Sequence, residues 1–242
     1  MSGNKLNYII IVIGLAVLVV GIYSLMEDQN IKNNPGEIEG PLDDKSLESA
    51  NEIIKNCSEK LNLNFREIEK CLSEGKKKSL IEKDQELADK YHVRPVPGFV
   101  VGCKYRFDGA YPSRFMADAI DLAMSENVLN ESDFKEWCLE RASNKTCSWY
   151  ARIVGNETCY DGDKIIIYEF FDFGCGECYR AQSVTLPYLI GNSKVSLEQH
   201  HLPHTKKSGY FAEAVECSSE SFDSDIKNKF ITCVFEENFK TK

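Results

Sequence analysis

The sequence predicts an α/β domain, a mixed sheet flanked by helices, behind an apolar N-terminal anchor. Three observations carry this. Residues 164–173 (KIIIYEFFDF) form a near-continuous apolar and aromatic run with β-branched side chains, the pattern of a central strand buried on both faces. Residues 46–91 place apolar side chains at helical spacing. At residues 98–102 (GFVVG) and 104–108 (KYRFD) the period shortens to that of two strands.

Taken in order, the run from Tyr8 to Met26 (YIIIVIGLAVLVVGIYSLM) contains no charged residue and is long enough to cross a bilayer as a helix. A signal peptide is the alternative, but its apolar region is ordinarily shorter and ends at a small-residue cleavage site. No convincing site of that kind is present here. Lys5 precedes the run and Glu27 and Asp28 follow it. Because lysine and arginine are retained on the cytoplasmic side, residues 1–7 are expected inside and the bulk of the chain outside, as a single-pass membrane protein. Residues 27–45 are polar, with Asn, Pro and Gly, and read as a linker.

Within residues 46–125, Leu47, Ile53, Ile54, Leu61 and Leu63 suit short amphipathic helices. Phe65, Ile68, Cys71 and Leu72 share one face of a second helix, and Leu80, Ile81, Leu87 and Ala88 one face of a third. The two short strands follow, and Ser113 is placed as the cap of a helix running through Met124. Residues 126–162, polar and holding three cysteines and both tryptophans, read as a partly helical connection. Gly174 ends the strand of residues 164–173. A helix then runs from Cys175-Gly176-Glu177-Cys178 to about Ile190, and Val195 to His200 alternates as a second strand. Ser208 is expected to cap a helix carrying Phe211, Ala214, Val215 and Cys217, and residues 225–235 form a last helix.

Composition narrows the class. The 242 residues are 43% hydrophobic and 28% charged, which favours a packed core over wholesale disorder. A net charge of −9, from 38 acidic and 29 basic residues, argues against broad nucleic-acid binding, which relies on Lys and Arg neutralising phosphates. Ten cysteines point to an oxidising compartment. Cys57 with Cys71 and Cys217 with Cys233 are candidate staples between adjacent helices, but sequence does not fix the pairing. Asn56, Asn130, Asn144 and Asn156 begin Asn-x-Ser/Thr sequons, usable only outside the cytoplasm.

Cys175 and Cys178 stand three apart at the predicted head of a helix, directly after a buried strand. That spacing places both sulfurs on one side of the first turn, where they can form a disulfide. Unpaired N–H groups and the helix dipole favour an anion at Cys175. The thiolate is the attacking species in disulfide exchange, and Cys178, one turn deeper, is suited to resolve a mixed disulfide.

The segment EFFDFGCGECYRAQSVTLPYL resembles the strand–motif–helix unit of the thioredoxin superfamily, and of its DsbA-like branch in particular. Thr185-Leu186-Pro187 matches the point where that branch bends its active-site helix. The resemblance implies a thioredoxin-like four-stranded sheet with a helical insertion, and a protein thiol–disulfide oxidoreductase with Cys175 and Cys178 as catalytic residues. It also implies that Glu169 is a buried acid relaying a proton for Cys178; the alternative is an exposed strand carboxylate. Gly176 and Glu177 fall at the positions that tune the couple. A carboxylate at Glu177 opposes the Cys175 thiolate, so a less oxidising couple than that of a DsbA-type oxidase is expected. Upstream, HVRPVPGFVVGCKYRFDGAYP resembles the superfamily's cis-proline loop and hairpin. That likeness makes Val96–Pro97 the cis bond and assigns Val96 and Pro97 to substrate binding.

The two units stand in the reverse of the family's order, with the C-terminal half at residues 46–125 and the N-terminal half at 163–242. A circular permutant bridged by 126–162, a domain-swapped homodimer, and a fragment of a tandem array all account for this. A self-completed domain is the expectation, with strands ordered 195–200, 165–171, 98–102, 104–108. The expected partners are cysteine-containing exported proteins, a membrane redox partner and, through Tyr8 to Met26, the lipid bilayer, with no nucleic acid. No cofactor or metal is expected. Two other readings stand beside this one. The first is a catalytically weak tethered binding or chaperone module. The second is a zinc or copper carrier using Cys175, Cys178, His200, His201 and His204, although no finger-like spacing supports it and His200 and His201 read as strand-end surface residues.

Overall fold

The computed structural model describes residues 42–125, 129–143, 146–147, 150–218 and 224–240, which belong to one compact unit. Three helices come first: α1 (Asp44–Lys60), α2 (Phe65–Ser73) and α3 (Lys78–Lys90). Asp43 and Asn64 cap α1 and α2, accepting from the N–H groups of Ser46 and Arg66. Then follow β1 (Gly98–Val101), β2 (Tyr105–Asp108), α4 (Ser113–Met124), α5 (Glu131–Leu139), β3 (Ala151–Ile153) and β4 (Tyr160–Asp161). The chain continues through β5 (Lys164–Phe171), α6 (Gly176–Val184), α7 (Leu186–Ile190), β6 (Val195–His201), α8 (Lys206–Ser218) and α9 (Ser224–Lys240).

The sheet has six strands, in the order β3-β2-β1-β5-β4 with β6 also on β5. β5 pairs antiparallel with β1 (Phe99 opposite Glu169) and parallel with β6 (Glu169 opposite Gln199). The expected four-stranded sheet is therefore corrected to six. The added strands lie in residues 126–162: β3 extends the sheet beyond β2, with Arg152 opposite Arg106, and β4 turns back onto β5. Strands of three and two residues show no readable alternation.

The membrane expectation is also corrected. Tyr8 to Met26 lies outside the described residues, and among those residues no helix is long and apolar enough to cross a membrane. The longest, α1 and α9, have 17 residues each and carry charged side chains along their length. The expected single-pass localisation is therefore without a supporting helix among the described residues.

Side chains alternate along β5, so Ile165, Ile167, Glu169 and Phe171 share one face and Ile166, Tyr168 and Phe170 the other. On the first face Ile165 and Ile167 pack with Tyr105, Phe107, Phe115, Ile120 and Leu186. Phe171 and Phe173 pack with Ile54, Phe211, Val215, Phe230 and Phe235 of α1, α8 and α9. On the second face Phe170 meets Val100, Ala88 and Tyr91, covered by α3. Burying each such aromatic contributes about 2–3 kcal/mol.

Eight cysteines form four disulfides, Cys57–Cys233, Cys71–Cys217, Cys103–Cys159 and Cys138–Cys147. The expected pairs Cys57–Cys71 and Cys217–Cys233 are not made, because α1 lies against α9 and α2 against α8. Two caps differ as well. Pro112 takes the cap position of α4 and Ser113 is its first residue. Thr205 rather than Ser208 heads α8, since the Ser208 N–H donates to Thr205 Oγ1 (3.1 Å) and the Thr205 N–H to Ser208 Oγ (3.2 Å).

Candidate active site

Where β5 ends, the Asp172 carboxylate accepts the Gly174 N–H, and the Asp172 carbonyl accepts the Cys175 N–H at 3.1 Å. Aspartate followed by glycine two positions later is turn chemistry, and the turn sets Cys175 at the head of α6. Cys175 caps that helix with sulfur in place of the usual oxygen, accepting the Cys178 N–H at 3.1 Å. Its thiol lies 3.4 Å from the Val96 carbonyl oxygen. Cys175 is half-buried and Cys178 buried, and both are free thiols.

The environments separate the two sulfurs. Hydrogen bonding from Cys178, first its thiol and then its backbone N–H, holds the Cys175 thiol below its ordinary range against the cost of burial. Burial pushes the Cys178 thiol far up, and the neighbouring Cys175 and Glu169 add to the effect. One sulfur is thus poised to ionise and the other to keep its proton.

Glu169 is fully buried, and burial raises its carboxyl to about 7, with the Gln199 hydrogen bond opposing. Gln199 Nε2 donates to Oε2 at 2.6 Å, while Oε1 has no hydrogen-bond partner among the described residues. The exposed-carboxylate alternative is therefore set aside. From the first part of the chain, the Val96–Pro97 bond is cis, Val96 is half-buried, and the Pro97 carbonyl accepts the Gly109 N–H at 2.7 Å. Gly98 is required here, because a Cβ would come within 2.6 Å of Val93 Cγ1 and push away the loop that brings Val96 to Cys175.

Gly176 and Glu177 follow Cys175 in the first turn of α6. A Cβ at Gly176 would meet Phe239 in ordinary contact at 3.9 Å, so no close approach demands glycine. Glu177 is exposed and paired with Arg180 at 2.7 Å, which offsets its charge. The carboxylate that opposes the Cys175 thiolate electrostatically is that of Asp172, whereas Glu177 assists it through its backbone N–H. The sequence reading misses Asp172, although its place two residues before Gly174 is a turn signal.

Of the three histidines, His204 reaches the Cys175 turn, through Asp172, while His200 and His201 are held elsewhere. His201 is buried, hydrogen-bonded to Glu216 at 3.1 Å and packed on Phe171 and Phe173. His200 is bound to Asp84 at 2.7 Å, and His204 to Asp172 at 3.1 Å. The expectation of surface positions for His200 and His201 is corrected, because helices cover both faces of β6. Among the described residues no group of three or more His, Cys, Asp or Glu side chains is placed to hold a metal ion. No protein-family model matches the chain, and no curated protein matches it.

Proposed function

We propose that the chain is a thiol–disulfide oxidoreductase acting on cysteine-containing exported proteins, with Cys175 as nucleophile and Cys178 as resolving thiol. The observation that carries this reading is the contrast among the ten cysteines. Eight are tied in disulfides, while the two that remain free share the head of one helix, with opposite tendencies to ionise. The resemblance of the Cys175–Cys178 segment and the Val96–Pro97 loop to the DsbA-like branch supports it, with the halves in permuted order. Four disulfides support an oxidising, exported setting.

In the reducing direction the Cys175 thiolate attacks one sulfur of a substrate disulfide, forming a mixed disulfide and releasing the other sulfur as a thiolate. Glu169, buried near Cys178, accepts the Cys178 proton. The Cys178 thiolate then attacks the Cys175 sulfur and releases the second substrate thiol. Two electrons pass to the substrate as the Cys175–Cys178 disulfide forms. Oxidation of a substrate dithiol is the reverse sequence.

Insulin reduction by dithiothreitol and reactivation of scrambled ribonuclease test the proposal. Wild type is expected to accelerate at least one of them, and Cys175→Ser to abolish the acceleration. Equal rates for wild type and Cys175→Ser would overturn it.

A further inference from the structure

We propose that His204 is a positioning residue for Cys175, held on the Asp172 carboxylate so that its imidazolium offsets the negative charge that opposes the thiolate. This rests on the reading of Cys175 as nucleophile.

Asp172 is buried and has two structural tasks. Its carbonyl and Oδ1 build the turn through the N–H groups of Cys175 and Gly174. Its Oδ2 receives the His204 N–H, the His204 ring through Nδ1 at 3.1 Å, and the Ser208 hydroxyl at 3.2 Å. A carboxylate that shapes the turn cannot be dispensed with, yet its charge acts against an ionised Cys175. Burial would push the Asp172 carboxyl up, but the hydrogen bonds from His204 and Gly174 outweigh burial and keep it ionised. A cation on the same carboxylate is the direct remedy, and His204 is the titratable side chain placed there. The Arg94 backbone, in the loop that carries Val96, adds to the rise of the His204 pKa.

The hydrogen bond to Asp172 raises the His204 pKa, and Cys175 itself adds to the rise. The imidazolium therefore persists above the ordinary histidine range. As pH climbs through the His204 pKa, the cation is lost and Asp172 acts on Cys175 unopposed. The side chain is 42% exposed, open to proton exchange and partly screened, so the effect is that of a partly exposed ion pair, about threefold.

The test is the rate of Cys175 alkylation by iodoacetamide from pH 5 to 9, with the equilibrium against glutathione, for wild type, His204→Gln and His204→Arg. Glutamine keeps a donor toward Asp172 without the charge, and arginine keeps the charge at every pH. At pH 6.5, His204→Gln is expected to react more slowly and to shift the couple toward the disulfide, the two changes multiplying to about threefold, whereas His204→Arg keeps the wild-type values. A His204→Gln profile superimposable on wild type overturns the inference, as does equal slowing in both variants, which marks a purely structural role. Either result with Cys175-dependent turnover intact removes the His204 inference alone. Wild type without that turnover removes the redox reading itself.

Discussion

Glu169→Gln isolates the buried acid near Cys178. The side chain keeps its shape, and the new amide oxygen can accept the bond from Gln199 that Oε2 accepts in the native protein at 2.6 Å. Burial raises the Glu169 pKa from 4.5 to about 7, so the folded chain holds this proton more tightly than the unfolded chain does. Below pH 4.5 both states carry the proton and the carboxyl costs nothing through ionisation. Between pH 4.5 and 7 the unfolded state releases its proton first, and stability falls as pH rises. Above pH 7 the loss is complete, and at about 1.4 kcal/mol per pH unit it amounts to about 3 kcal/mol. The glutamine variant lacks this slope. Urea unfolding of the disulfide-intact protein at pH 5, 6, 7 and 8 should give curves that nearly meet at pH 5. At pH 8 the variant should be the more stable by about 2–4 kcal/mol. Parallel stability-versus-pH curves for the two proteins would refute the reasoning. The same variant should slow release of the mixed disulfide formed at Cys175, because Cys178 loses its proton acceptor.

Replacing Cys57 and Cys233 by alanine should lower the melting temperature more than replacing Cys138 and Cys147. The sequence separations are 176 and 9 residues, for which loop-closure entropy gives about 5 and about 2.6 kcal/mol as upper values; a reversed order in calorimetry would contradict this. Gly155→Ala should destabilise by about 1–3 kcal/mol, because its Cβ would lie 2.3 Å from the Cys103 backbone carbonyl oxygen. An unchanged unfolding midpoint would show that the segment has room the structure denies it.

Legibility in the sequence follows local periodicity. The strand β5 is readable because KIIIYEFF is apolar on both faces, and the Cys175–Cys178 pair because a breaking glycine separates it from that strand. β3 and β4 are not readable: a strand of two or three residues is defined by its neighbours rather than by its own side chains. Disulfide pairing is likewise tertiary, since α1 and α2 adjoin in sequence while their cysteines face α9 and α8. His200 and His201 occupy opposite faces of β6, and only the packing of α3 and α8 decides that neither is a surface residue. His204 is far from Cys175 in sequence, and the carboxylate that joins them, Asp172, gives no sign of its second partner. The apolar run at residues 8–26 has the strongest periodicity-free signal of all, and it lies outside the described residues.

The site lies on a seam. Val96 and Pro97 come from the first part of the chain and Cys175 from the second, and they meet because β1 pairs with β5. Antiparallel neighbours need no direct connection, so the order in which the chain supplies them is free, provided that something else holds the parts together. Cys57–Cys233 and Cys71–Cys217 do this, each joining a helix before β1 to one after β6. A reactive thiolate in the same molecule puts such bonds at risk, since exchange proceeds wherever a thiolate can reach a disulfide sulfur. Burial answers that risk: Cys57, Cys71, Cys217 and Cys233 are all buried. Cys103–Cys159 is the half-buried bridge, and it stands at the far end of β1 from Pro97, about 15–20 Å along an extended chain. Under the proposed function, the arrangement would let Cys175 and Cys178 cycle between thiol and disulfide while the bonds that align them with Val96 stay closed.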